Sequence, residues 1–198
     1  MLAETFLNLV KKATRELDLD DIRTEVLTFS RRNSGMTTRE KGQRLIQRAA
    51  RRAAAVGAVA SLPPGWAAVA AIGPELSVLI ILQSRLIVGL HILYGGTPEP
   101  DERALEVLAG IAAGAGINVS RRLTARAVEE VAARVAVRLA GREATHFVPL
   151  LGAVASAALN YGAVTAVGRA ALGRVERLYG PPEIPGEGPV VDVDGDVA

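Results

Sequence analysis

The chain contains no cysteine, which removes disulfides, thiolate metal sites and cysteine nucleophiles at once. Aromatic residues make up only 4% of it against 49% hydrophobic residues overall, so any core has to be built from Ala, Val, Leu, Ile and Gly. Alternating apolar and polar runs are almost missing, which argues against sheets and for an all-α fold. There is no P-loop, no GxGxxG after a strand, no supported Ser-His-acid arrangement and no cluster of metal-ligating residues. These absences point away from an enzyme and from a metal or other cofactor. The N-terminal MLAETFLNLVKKATRELD has Glu4 ahead of its apolar residues and lacks a basic leader. It reads as an amphipathic helix and not as a signal peptide, and a cytoplasmic location is expected.

What charge there is lies unevenly. The formal net charge is +2, but residues 181–198 hold Glu183, Glu187, Asp192, Asp194 and Asp196 with no Lys or Arg. The body is therefore basic and the tail acidic. The tail is also rich in Pro and Gly and is expected to be disordered. Its Asp192-x-Asp194-Gly195-Asp196 has the beginning of a calcium loop without the flanking helices or terminal Glu that an EF-hand needs.

The expected architecture is a single helical bundle of about six to eight helices around a long apolar central helix. N-terminal amphipathic helices occupy residues 1–36, a helical domain 37–180, and the tail 181–198. Phe6, Leu7 and Val10 follow Leu2 along one face of a first helix, and a second runs from Asp20 to Arg32. Thr37-x-x-Glu40 is a capping box opening a third helix that ends before Leu62-Pro63-Pro64-Gly65, with Leu45, Ile46, Ala49 and Ala53 on its apolar side.

On that third helix Lys41, Arg44, Arg48, Arg51 and Arg52 fall within roughly 100° of arc. A basic stripe leading into an apolar segment suits an anionic membrane surface or an acidic partner; a solvated helix face is the plain alternative. No aromatic residues interleave the arginines, so nucleic acid is not expected. Trp66 opens the next apolar segment, either as an interfacial anchor or as a plug between helices.

The central stretch, GPELSVLIILQSRLIVGLHILYGG, is punctuated by Gly-Pro and Gly-Gly, and predicts a helix over 74–94 about 31 Å long. Its Leu, Ile and Val residues favour lipid insertion by roughly 6 kcal/mol, but Arg85 costs about 2.5 to 3.5, and Gln83, Ser84 and His91 add to that. A helix inside a bundle with its polar groups paired fits better than a solitary span. Ser77, Ser84 and His91 recur every seven residues, as a polar seam or the wall of a ligand site. Glu75, Gln83, Arg85, His91 and, further on, Asn160 are the candidates for a buried polar network or ligand site. Glu75 and Arg85 lie about 15 Å apart along the axis and cannot make one site unaided.

Pro98, Pro100 and Asp101 start the next helix, which contains the close-packing pattern Gly110-x-x-x-Gly114. A mixed-charge helix is expected over Arg121–Leu139. A last long helix runs from Pro149 to about Leu178, with Ala158, Gly162, Ala166 and Ala170 forming a smooth ridge against the central helix.

The central stretch, followed by DERALEVLAG, resembles the EcsC family of bacterial proteins. The likeness is carried by Glu75 and Leu76; by Leu82, Gln83, Arg85, Leu86 and Ile87; and by Tyr94 and Gly95. The late stretch HFVPLLGAVASAALNYGAVTAVGRAA is similar to the family's second signature, through Pro149, Gly152, Asn160, Gly168, Arg169 and Ala170. The chain departs from the pattern in a second glycine after Tyr94-Gly95 and in His91, where a small residue is usual. The resemblance implies an all-helical bacterial domain, no established catalytic activity, and an accessory role near membranes, since the family's namesake is encoded beside an ABC transporter. The expected function is a non-enzymatic accessory protein held peripherally at the inner membrane or on a membrane complex. A bundle holding a lipid or other apolar ligand and a homo-oligomeric scaffold are the alternatives.

Overall fold

The computed structural model describes residues 2–60, 66–117, 133–134 and 149–180. Among the described residues the fold is all-helical with no strand, built on α1 (Leu2–Arg15), α2 (Leu19–Arg32), α3 (Thr38–Ala60), α4 (Trp66–Leu93), α5 (Pro100–Gly114) and α6 (Pro149–Tyr179).

Local chemistry sets several boundaries. The Asp18 carboxylate caps α2 by accepting from the Asp21 N–H at 3.0 Å. Before α3 the Thr37 N–H donates to the Glu40 carboxylate at 2.8 Å and the Glu40 N–H donates back to the Thr37 hydroxyl at 3.2 Å, the reciprocal capping box. At the end of α4 the Gly96 N–H reaches the His91 carbonyl at 2.9 Å and the Gly95 N–H that of Ile92 at 3.0 Å. Gly95 sits at φ +80°, a conformation that closes a helix and that glycine adopts without strain.

The expected start at Pro74 needs correction. α4 begins at Trp66 and continues through Pro74. A proline inside a helix forfeits one backbone hydrogen bond and crowds the preceding turn, a local cost that does not compel a break where the apolar sequence runs on. The picture of a long apolar helix also changes. α4 has 28 residues, yet no helix among the described residues is long and apolar enough to cross a membrane.

The main core draws Phe6, Val10 and Ala13 from α1, Ile46, Ala50 and Ala53 from α3, and Ile80, Leu86, Ile87 and Leu90 from α4. Val107, Leu108 and Ile111 of α5 and Val164, Val167, Leu172 and Val175 of α6 complete it. α4 packs against all five other helices. α3 and α6 run antiparallel, with Arg39 beside Glu176, Gly42 beside Leu172, Ile46 beside Gly168 and Gly57 beside Ser156. Backbones come close enough there that a Cβ on Gly57 would lie 2.9 Å from the Ser156 carbonyl oxygen. The expected Gly110/Gly114 pattern also packs closely: a Cβ on Gly114 would meet the Val167 backbone at 2.6 Å.

α6 turns a different face inward from the one expected. Ala158 and Gly162 are exposed, while Ser156, Val164, Val167, Ala171, Leu172 and Val175 are buried. The larger aliphatic side chains remove more apolar area from water than a ridge of Ala and Gly, and they set the orientation. The helix expected over Arg121–Leu139, apart from residues 133–134, and the tail 181–198 lie outside the described residues.

Candidate functional site

The basic stripe of α3 is, in large part, already engaged. α2 and α3 form an antiparallel hairpin, and their facing residues recur every four positions. Glu25 meets Arg52 at 3.4 Å, Phe29 lies under the Arg48 guanidinium at 4.6 Å, and Asn33 accepts from Arg44 at 3.3 Å. Arg85 of α4 joins them by donating to Asp21 at 2.7 Å and to Glu25 at 3.1 Å. Partial burial opposes the charge on Arg85, but the Asp21 and Glu25 carboxylates outweigh it and raise its pKa above the ordinary value. A recess of about 60 Å³ lies between the three helices, with Arg48, Arg52 and Arg85 at its edge and Leu82 and Leu86 below.

Lys41 is half-buried and Arg51 exposed, and neither makes an ion pair among the described residues. Six cations (Lys41, Arg44, Arg48, Arg51, Arg52 and Arg85) thus share this side with three carboxylates, Asp21, Glu25 and the Glu40 that faces Arg44, and positive charge remains in excess. Val78 and Ile81 are exposed on α4, and with Arg85 they follow i, i+3, i+7 spacing, hence one face.

The other candidates separate. His91 is buried on another side of α4, where its Nδ1 lies 3.0 Å from the Tyr179 hydroxyl and its Nε2 3.7 Å from Glu106 Oε2. Glu106 in turn takes a two-pronged pair from Arg174, at 2.6 and 2.7 Å. Nearby, the Tyr94 hydroxyl donates to Glu176 at 3.2 Å, and Arg39 approaches the same carboxylate at 3.5 Å. Burial lowers the His91 pKa; Glu106 opposes that shift and Arg174 reinforces it. Burial raises the Tyr94 pKa, as do the charge and hydrogen bond of Glu176. This cluster ties α4, α5 and α6 together and adds Glu106, Arg174, Glu176 and Tyr179 to the polar residues singled out by sequence. Apart from His91 and Glu106, its pairs lie at least 68 positions apart in sequence, and no local spacing announces them.

Gln83 is buried in α4, and Asn160 lies against Gly57 of α3, where a Cβ would come 2.5 Å from its amide nitrogen. Arg85, His91 and Asn160 therefore occupy three different helix junctions and do not form one pocket. The side chains of Trp66 and Glu75 lie outside the described residues. Of the Ser77, Ser84 and His91 seam, the Ser84 hydroxyl is buried without a hydrogen-bond partner. Among the described residues no group of three or more potential ligands could hold a metal ion. Between α3 and α6 runs a groove of about 510 Å³, edged by Arg39, Gln43, Gln47 and Arg169 over Ile46 and Leu172.

The fold and this surface define an all-α bundle with a basic side built around a helical hairpin. No family model, no curated protein and no solved structure matches the chain.

Proposed function

We propose that the protein is a non-enzymatic helical accessory protein that attaches peripherally to the bacterial inner membrane, or to a membrane transport complex there. The attaching surface is the basic side of α3 with Val78 and Ile81 of α4. The observation that carries this reading is the excess of cations beside exposed aliphatic side chains on one side of the bundle. Each Lys or Arg near an anionic leaflet contributes about 1 kcal/mol, and apolar side chains at the interface add to it. The resemblance to the EcsC family, through Leu82, Gln83, Arg85 and the late Pro149–Ala170 stretch, lends the same direction. Co-sedimentation with vesicles containing phosphatidylglycerol tests it. Lys41→Gln with Arg51→Gln spares the contacts to α2 and removes two charges, about 2 kcal/mol or roughly thirtyfold in affinity. Undiminished binding contradicts the assignment.

A second reading, a homo-oligomeric scaffold, draws support from the exposed Ala158, Leu159, Tyr161 and Gly162 on α6. Small residues flanked by large apolar ones permit close helix approach. A sedimentation profile that stays monomeric at high concentration removes it.

A further inference from the structure

Four of the six cations are occupied within the chain, and the manner of their occupation says more. We propose that α2 is a displaceable acidic cover over the membrane-binding side, and that anionic lipid headgroups compete with Asp21 and Glu25 for Arg52 and Arg85. This rests on the peripheral attachment proposed above and concerns its regulation.

Three observations converge. First, α2 takes no part in the main core; it docks through a separate small cluster of Ile22 and Val26 on Val88 and Ile92 of α4, and through Phe29 buried under Arg48. Secondly, the carboxylates of its ion pairs and one of the two arginines lie in the open, Arg85 alone being partly buried. Asp21, Glu25 and Arg52 expose 58%, 41% and 61% of their side chains, so these contacts are individually weak and screened by salt. A charged bilayer offers many phosphates at once to the same guanidinium groups. Thirdly, Val78, Ile81, Arg85, Val88 and Ile92 recur at i, i+3, i+7, i+10 and i+14 along α4 and share one face within about 80°. Val78 and Ile81 are exposed, while Val88 and Ile92 lie beneath α2. One stripe is thus half open and half covered. Swinging α2 away would extend the apolar strip along α4 and release Arg48, Arg52 and Arg85 beside it. The links on either side of α2, residues 16–18 and 33–37, hold it to the bundle in both positions.

The absence of native cysteine makes a clean lock available. A Cβ on Gly89 would stand 3.4 Å from Cγ2 of Val26, a γ position that a cysteine sulfur can take, so cysteines at the two positions come within reach of each other. Val26→Cys with Gly89→Cys is expected to close α2 when oxidised and free it when reduced, so one preparation supplies both states. The oxidised protein should bind phosphatidylglycerol vesicles at least about tenfold more weakly than the reduced protein. Asp21→Asn with Glu25→Gln, which needs no new packing, should strengthen binding about tenfold and raise hydrogen exchange of the α2 amides about tenfold without lipid. Equal binding by oxidised and reduced protein, or N/Q substitution without effect on binding, overturns the cover while leaving peripheral attachment in place. Binding by no form overturns the attachment instead, and the exchange experiment then decides the cover. Protection of α2 equal to that of α3 and indifferent to the substitutions overturns it.

Discussion

Replacement of Glu106 by Gln probes the polar cluster that joins three helices. Glu106 holds Arg174 through two bonds of 2.6 and 2.7 Å, and the two side chains are only 17% and 25% exposed. The Glu106 hydrogen bonds hold the Arg174 pKa above its usual value in spite of burial. Removing one partner of a fully buried pair costs about 3–5 kcal/mol, whereas an exposed pair is worth under about 1. At this burial the expected loss is about 2–3 kcal/mol, because glutamine keeps the shape but leaves the guanidinium without its counter-charge. In a chain of this size that lowers the melting temperature by about 4–12 °C. Urea and thermal unfolding followed by circular dichroism, with Arg174→Leu and the double variant completing a cycle, measure both the loss and the coupling. A loss under about 0.5 kcal/mol, or strictly additive effects, would refute the assignment of this pair as a principal tie between α5 and α6.

Two further outcomes are expected. Burial keeps His91 below its ordinary pKa of 6.5, so the unfolded chain takes up its proton first as the pH falls; stability is fully present above about pH 6.5 and declines below it. Urea unfolding should show that decline, His91→Asn should flatten it, and stability rising on acidification through this window would mean that Glu106 dominates the site. Ser84→Ala removes a buried hydroxyl with no partner and should stabilise by about 1 kcal/mol, a melting temperature higher by about 2–4 °C; a lower melting temperature would show that the hydroxyl is satisfied.

What could be read from sequence was local. The Thr37/Glu40 box and the Gly95-Gly96 stop are decided within a few residues, and both stand where the sequence puts them. The start of α4 differs from the sequence expectation because Gly73-Pro74 is a helix-opening pattern whose local cost the surrounding helix absorbs. The inward face of α6 differs from the expectation because a regular Ala/Gly ridge is conspicuous in sequence, whereas burial follows the larger Val and Leu side chains. The stripe from Lys41 to Arg52 is visible on α3 alone, whereas its partners lie on α2 and α4. A short link between α2 and α3 favours antiparallel neighbours, and Asp21, Glu25, Phe29 and Asn33 repeat at four-residue spacing on α2, so the complement was within reach. The junction of His91, Glu106, Arg174 and Tyr179 was not: it depends on the register of α4, α5 and α6, which no single helix encodes.

The most direct test of peripheral attachment is fractionation of cells expressing the native protein, with the membranes washed first in about 1 M salt, where the Debye length falls to about 3 Å, and then in detergent. Recovery with the membranes and release by salt is the expected result. Retention through salt with release only by detergent, or complete absence from the membrane fraction, would contradict attachment through the basic side of α3.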